Sequence, residues 1–78
     1  MQTVYILKCS DGSFYTGCAS DLDERQQRHN SGYVEYTKFR LPVELVFSCR
    51  FKNKVKAFDF EKYLKSGSGI AFRNKHFI

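Results

Sequence analysis

YILKCSDGSFYTG, residues 5–17, is the stretch that decides the fold. β-Branched and aromatic residues fill Thr3 to Lys8 and again Ser13 to Gly17, and Ser10-Asp11-Gly12 lies between them, so the segment reads as a β-hairpin. The length of its loop matters. A two-residue loop at Asp11-Gly12 pairs Tyr5 with Cys18 and sends Tyr15 to the opposite face. A three-residue loop with Gly12 in the left-handed conformation pairs Leu7 with Tyr15 and puts Tyr5, Leu7 and Tyr15 on one face. The sequence permits both, and only the second lets the two phenols cooperate.

Downstream of the hairpin, Ser20-Asp21-Leu22-Asp23-Glu24 reads as a helix start, with Ser20 as the cap and acids in the first turn. Asn30-Ser31-Gly32 stops that helix after about three turns. Leu22 is its only sizeable hydrophobe, and the residues that share its stripe are Arg25 and His29. A structural helix rarely aims a guanidinium and an imidazole inward. Residues 33–40, YVEYTKFR, are aromatic and basic without a clear period and are expected to form a turn or a short helix. Val43, Leu45, Phe47, Cys49 and Phe51 then alternate with Glu44, Val46, Ser48 and Arg50, a strand with one buried face.

Asn53 caps a second helix, expected from about Lys54 to Lys65 and ended by Gly67 and Gly69. Ala57, Phe58, Phe60 and Leu64 share one arc of it, and Glu61 falls near the middle of that arc. A carboxylate there is costly unless it is paired or holds a metal ion. The tail, IAFRNKHFI, suits one more helical turn that docks Phe72 and Phe77. The order is strand, strand, helix, irregular segment, strand, helix, which makes a small α+β fold with helices laid on an antiparallel sheet.

Seventy-eight residues suffice for one domain, 1–78, near the lower limit at which a core holds unaided. Eight Phe and five Tyr supply much of that core. Thirteen Lys and Arg against eight Asp and Glu leave a formal charge of +5, which favours an anionic partner, nucleic acid first. No run approaches the ~18 apolar residues of a membrane helix. The first residues lack a basic leader, so a cytoplasmic location is expected and no membrane partner. Cys9, Cys18 and Cys49 are odd in number and include no CxxC pair, so reduced thiols are expected. Their spacing with His29 matches no familiar zinc pattern.

A tyrosine pair, an Arg/His pair and one glutamate thus point inward, and phosphodiester hydrolysis uses such a set. A tyrosine or histidine can take a proton from water, a guanidinium can offset charge on phosphate, and a carboxylate can hold a hard metal ion. In order along the chain, these residues resemble a GIY-YIG nuclease domain, in the small stand-alone form related to the nuclease module of the UvrC repair protein. Thr3-Val4-Tyr5 stands where the family has G-I-Y, and Tyr15-Thr16-Gly17 where it has Y-I-G. DLDERQQRHN resembles the helix that carries the family's arginine and frequent histidine. YTKFRLPVELVF and FEKYLKSGSG are similar to the stand-alone members.

The resemblance implies a three-stranded antiparallel sheet flanked by helices. It makes Tyr5 or Tyr15 the group that activates water, aided by His29, with Arg25 the phosphate clamp. Glu61 becomes the ligand of one divalent ion, Mg²⁺ or Mn²⁺. The implied reaction is metal-dependent endonucleolytic cleavage of DNA, in preference to RNA, leaving a 5′-phosphate and a 3′-hydroxyl, in repair or recombination and selective for substrate structure. Thr3 departs from the family's first glycine, a backbone position whose replacement is expected to do little to the chemistry. Asn74, thirteen residues after Glu61, stands near the place of a family asparagine.

Lys38, Arg40 and Lys65, basic side chains among aromatics, are candidates for nucleic-acid phosphate contacts, and a solvated basic face would use them equally well. Tyr36 suits stacking and packing alike. So small a chain leaves little surface for sequence readout, so shape recognition or a larger repair or recombination partner is expected to supply specificity. The competing reading is a module on the same fold that binds nucleic acid or docks on a partner without cutting.

Overall fold

The computed structural model describes residues 1–78. Its elements run β1 (Gln2–Lys8), β2 (Phe14–Ala19), α1 (Leu22–Asn30), β3 (Glu44–Phe51), α2 (Lys54–Leu64) and α3 (Gly67–His76). The strands form one antiparallel sheet in the order β2-β1-β3, so the most apolar strand is central and β2 is an edge.

The hairpin takes the odd-length loop. Cys9 and Ser13 close it through the Cys9 N–H and the Ser13 carbonyl (2.8 Å), and Gly12 sits at φ 85°, where a side chain would be strained. Leu7 therefore pairs with Tyr15 and Tyr5 with Gly17, and both tyrosines face the same side. The Asp11 carboxylate holds the turn by accepting from the Ser13 N–H at 2.9 Å.

Central β1 divides the core in two. On one face Tyr5, Leu7 and Cys9 pack with Ala19, Val43 and Leu22; on the other, Val4 and Ile6 pack with Ala57, Leu64 and a group of phenylalanines. The single buried face expected for residues 43–51 is instead split. The register shifts between Ile6, paired with Phe47, and Leu7, paired with Leu45. The extra residue, Val46, is a β-bulge, and it turns Val43 and Leu45 to the Tyr5 side while Phe47 and Phe51 go to the other.

Helix ends also differ from expectation. Asp21, not Ser20, caps α1, its carboxylate accepting from the Glu24 N–H at 3.1 Å, because the extended residue directly before the first helical turn is Asp21. Asn53 caps α2 as expected. Gly67 and Gly69 do not merely stop α2: after a break at Lys65 and Ser66 they open α3, a helix of ten residues rather than one turn. A Cβ at Gly69 would run into the Tyr63 carbonyl, so glycine there lets α3 pack tightly on α2. Phe77 docks as expected, stacked on Phe47 with centroids 4.0 Å apart. Phe58 stays exposed, because the arc of α2 that meets the sheet is centred on Ala57, Phe60 and Leu64; Phe72, on α3, is only partly covered, by Tyr63 and Phe77, instead of docking in the core. Residues 33–40 form turns, and the three cysteines are free. No helix is long and apolar enough to cross a membrane.

Candidate active site

The odd loop and the edge position of β2 create the site. Tyr5 lies opposite Gly17 on the neighbouring strand, and its ring leans across that glycine toward the sheet edge. A Cβ on residue 17 would come within 2.5 Å of the Tyr5 phenol oxygen and 3.0 Å of the Tyr15 ring. Only glycine leaves room for the phenol, which gives the last residue of the Tyr15-Thr16-Gly17 motif a physical reason.

Helix α1 brings its unusual stripe to the same place. Leu22 packs on the Tyr5 cluster, and one and two turns later Arg25 and His29 face the phenols. His29 is fully buried and stands edge-on to both tyrosines, its ring centroid 5.9 Å from Tyr5 and 4.9 Å from Tyr15. The two tyrosine rings lie 6.2 Å apart.

The hydrogen bonds have a direction. Thr37, also fully buried, gives its hydroxyl proton to the Val34 carbonyl at 3.4 Å. Its oxygen is then free to accept from His29 Nδ1–H at 2.8 Å. That assigns the tautomer, and His29 Nε2 becomes the acceptor for the Tyr5 hydroxyl at 3.1 Å. Burial, then the Arg25 and Arg28 charges, hold the His29 pKa below its usual value, so the ring is neutral at pH 7 and able to accept. Burial first, then Tyr15, push the Tyr5 phenol up to about 12 against the opposing pull of Arg25. Tyr5 therefore keeps its proton at neutral pH, hydrogen-bonded to a neutral imidazole.

Arg25 carries the unsatisfied group of the site: its Nε–H is buried with no acceptor in the protein. An unpaired buried donor of a cation costs free energy that an incoming anion can recover. Glu61 approaches from α2, on the far side of the edge strand. Its side chain is one-fifth exposed and one carboxylate oxygen accepts from Lys65 Nζ at 2.9 Å; burial is the main reason that the pKa values of Tyr5 and the Cys18 thiol are raised, and the Glu61 charge adds to it.

The fold therefore brings Tyr5, Tyr15, Arg25, His29 and Glu61 together. It does not bring Asn74 among them: that side chain is exposed on α3 and accepts from the Arg73 guanidinium at 3.1 and 3.2 Å. Lys65 lies at the rim through Glu61. Lys38 pairs with Glu35 at 3.1 Å. Arg40 is tied to Asp11 at 3.0 Å, to the Tyr36 carbonyl, and over the Tyr36 ring at 4.2 Å, so it clasps the hairpin loop to the 33–40 turn. Sequence reasoning overlooked Thr37 and the role of Gly17. Thr37 carries no periodic signal; the signal for Gly17 was its fixed place after Tyr15.

No group of three His, Cys, Asp or Glu side chains converges anywhere in the structure, so a cage made by protein alone is not available. Glu61 alone fits a different arrangement. Mg²⁺ commonly keeps several waters and binds one or two carboxylates together with substrate phosphate oxygens.

The GIY-YIG catalytic domain matches residues 1–73. This chain belongs to the GIY-YIG family. A UPF0213 protein of Staphylococcus aureus is 47% identical over 64 residues, covering 81% of this chain and 78% of the relative. One from Staphylococcus saprophyticus is 46% identical over 66 residues, covering 83% and 80%. The solution NMR structure of the UPF0213 protein BH0048 from Bacillus halodurans superposes with a TM-score of 0.61 at 38% identity, over 96% of this chain and 84% of that one. The GIY-YIG fold expected from the sequence is thus shown, together with a likeness to UPF0213 proteins, and membership of the family implies nuclease-type activity in general.

Proposed function

We propose that this GIY-YIG protein is a metal-dependent endonuclease that hydrolyses nucleic-acid phosphodiester bonds, with DNA the expected substrate. The observation that carries the reading is the directed chain from the Tyr5 hydroxyl through His29 to Thr37. In this reading substrate binding opens the enclosed Tyr5 phenol to one water; the Tyr5 oxygen takes a proton from that water while its own proton passes to His29 Nε2, and Thr37 keeps the ring in the accepting tautomer. The water oxygen bonds to phosphorus, the bond from phosphorus to O3′ breaks, and the products are a 5′-phosphate and a 3′-hydroxyl whose proton comes from solvent. Arg25 offers its unpartnered Nε–H to the phosphate, where charge builds in the transition state. Tyr15 packs between Tyr5, His29 and Tyr36 and holds the stack in place. Glu61 would hold one Mg²⁺ or Mn²⁺, which supplies Lewis-acid stabilisation of the phosphate and the leaving oxygen.

The test is incubation of the purified protein with labelled single-stranded, duplex, flapped and branched DNA and matching RNA, in Mg²⁺ or in EDTA. Cleavage is expected to need the metal, to vanish with Glu61→Ala, and to fall by about 10²–10³-fold with Arg25→Ala. Binding without cleavage across the panel, in Mg²⁺ and in Mn²⁺, would sink the nuclease reading and favour a module that only binds.

A further inference from the structure

A cleft of about 280 Å³ opens beside Tyr15 at the sheet edge, and the chemistry described so far does not use it. Its floor and walls are apolar or aromatic: Phe14 from β2, Tyr36 from the 33–40 turn, Leu64 from the end of α2 and Ile70 from α3. Lys65 and Arg73 stand at its rim, and no acidic residue lines it. Two of its lining residues touch the site directly. Tyr15 packs on Tyr5 and His29, and Lys65 binds Glu61. Arg73 forms no ion pair; its guanidinium lies 5.0 Å over the Phe14 ring and donates only to Asn74.

We infer that this cleft, with aromatic walls at Phe14 and Tyr36 and cations at Lys65 and Arg73, takes the base of an unpaired nucleotide flanking the cleaved phosphodiester, and so selects single-stranded or flap-like nucleic acid over intact duplex. The inference deepens the nuclease reading and rests on it. Three observations carry it. The cleft, of about 280 Å³, has room for one planar ring system. π faces and a stacked guanidinium are what a base packs on regardless of its identity. The rim cations, one of them free of any carboxylate, complement the phosphates on either side of that base. A base in an intact duplex is stacked on its neighbours and cannot enter without being unstacked and unpaired first. Selectivity for substrate shape would then come from the cleft, without any readout of sequence.

The test places 2-aminopurine at successive positions of a single-stranded oligonucleotide, as DNA and as RNA, and follows its fluorescence on binding to the whole protein in EDTA. Quenching is expected at one position and not in the corresponding duplex. Tyr36→Leu and Ile70→Glu alter partly exposed side chains, so the fold should survive, as circular dichroism will report. Each is expected to weaken single-strand binding about tenfold or more while leaving duplex binding in place. Absence of quenching at every position, equal loss on single strand and duplex, or no loss with either variant would overturn the inference. Cleavage in Mg²⁺ is scored in parallel. Site-specific quenching without cleavage keeps the cleft and sinks the nuclease reading; equal cutting of duplex and single strand by all variants does the reverse.

Discussion

On the face of the sheet covered by α2 and α3, Val4 and Ile6 are sealed under Ala57, Leu64 and five phenylalanines, Phe14, Phe47, Phe51, Phe60 and Phe77. On the opposite face, beneath α1 and residues 31–43, Tyr5 and Leu7 share their cover with His29 and Thr37, two fully buried polar side chains. The first face gains stability from apolar area removed from water. The second gives up apolar area for a hydrogen-bonded chain and leaves the Arg25 Nε unsatisfied, an arrangement that makes sense where a substrate completes it. The same central strand serves both because its side chains alternate: even residues hold the fold together and odd residues build the site.

That division can be broken most forcefully at Ile6, which is fully buried on the phenylalanine side. Ile6→Ala is expected to lower unfolding free energy by about 2–5 kcal/mol, read from urea denaturation, through lost contacts and a residual cavity. Cleavage per folded molecule should be unchanged at temperatures where the variant stays folded. A large loss of activity with the fold intact would mean that the two faces are coupled through β1.

The second break is at Gly17. Gly17→Ala puts a Cβ into the Tyr5 phenol and against Tyr15, and because Tyr5 is fully enclosed its ring cannot swing aside freely. Overpacking of this kind costs about 1–3 kcal/mol. Moving the phenol oxygen by about 1 Å relative to His29 should cost about 10²-fold in cleavage. The expected signature is the reverse of Ile6→Ala: a modest change in denaturation midpoint with a large fall in rate.

The contrast also explains what the sequence made legible. The hairpin, the inward stripe of Leu22, Arg25 and His29, and Glu61 on the buried arc of α2 follow from local periodicity and turn chemistry, and the structure agrees with each. The loop choice did not follow, since both lengths satisfy the same residues; it is decided by the left-handed Gly12 and the closure of Cys9 on Ser13. The β3 bulge was invisible because Val46 fits either face, and the choice depends on how the far end of β1 is covered. Ten residues of α3 were underestimated because Gly67 and Gly69 read as stops, whereas Gly69 is retained for the close approach to α2. Thr37 lies on an irregular turn, where no periodicity says which way a side chain points; only the tertiary contact with His29 gives it a role.

Thr37→Val sharpens the comparison more gently. The valine is nearly isosteric, so packing is kept, but His29 Nδ1–H loses its acceptor and the tautomer is no longer fixed. Stability should fall by about 1 kcal/mol. Cleavage should fall roughly tenfold, a part of the about 10²–10⁴-fold that a positioned proton acceptor supplies. Thr37→Ser should recover most of both, since it restores the hydroxyl; failure of serine to rescue would show that the methyl group, and not the hydrogen bond, matters there.

The smallest effect is the acid limb of the pH profile. His29 faces Arg25 and Arg28 on its own helix, Tyr5 and Tyr15 on the sheet, and Thr37 on the turn, with burial the leading reason that its pKa is depressed. Cleavage needs the neutral ring, so kcat/KM should rise with pH and level off with a midpoint below the ordinary histidine value of about 6.5. The stability term has the same sign. A depressed folded pKa means that the unfolded chain binds the proton more readily, so the contribution is complete above about 6.5 and is lost as pH falls through the lower folded value. Arg28 is half-exposed and screened by solvent, so Arg28→Gln should move the limb upward only slightly, and less in high salt than in low. A limb that sits at or above 6.5 in the unaltered protein would show that the proton acceptor is not the buried imidazole, and that Tyr5 hands its proton elsewhere.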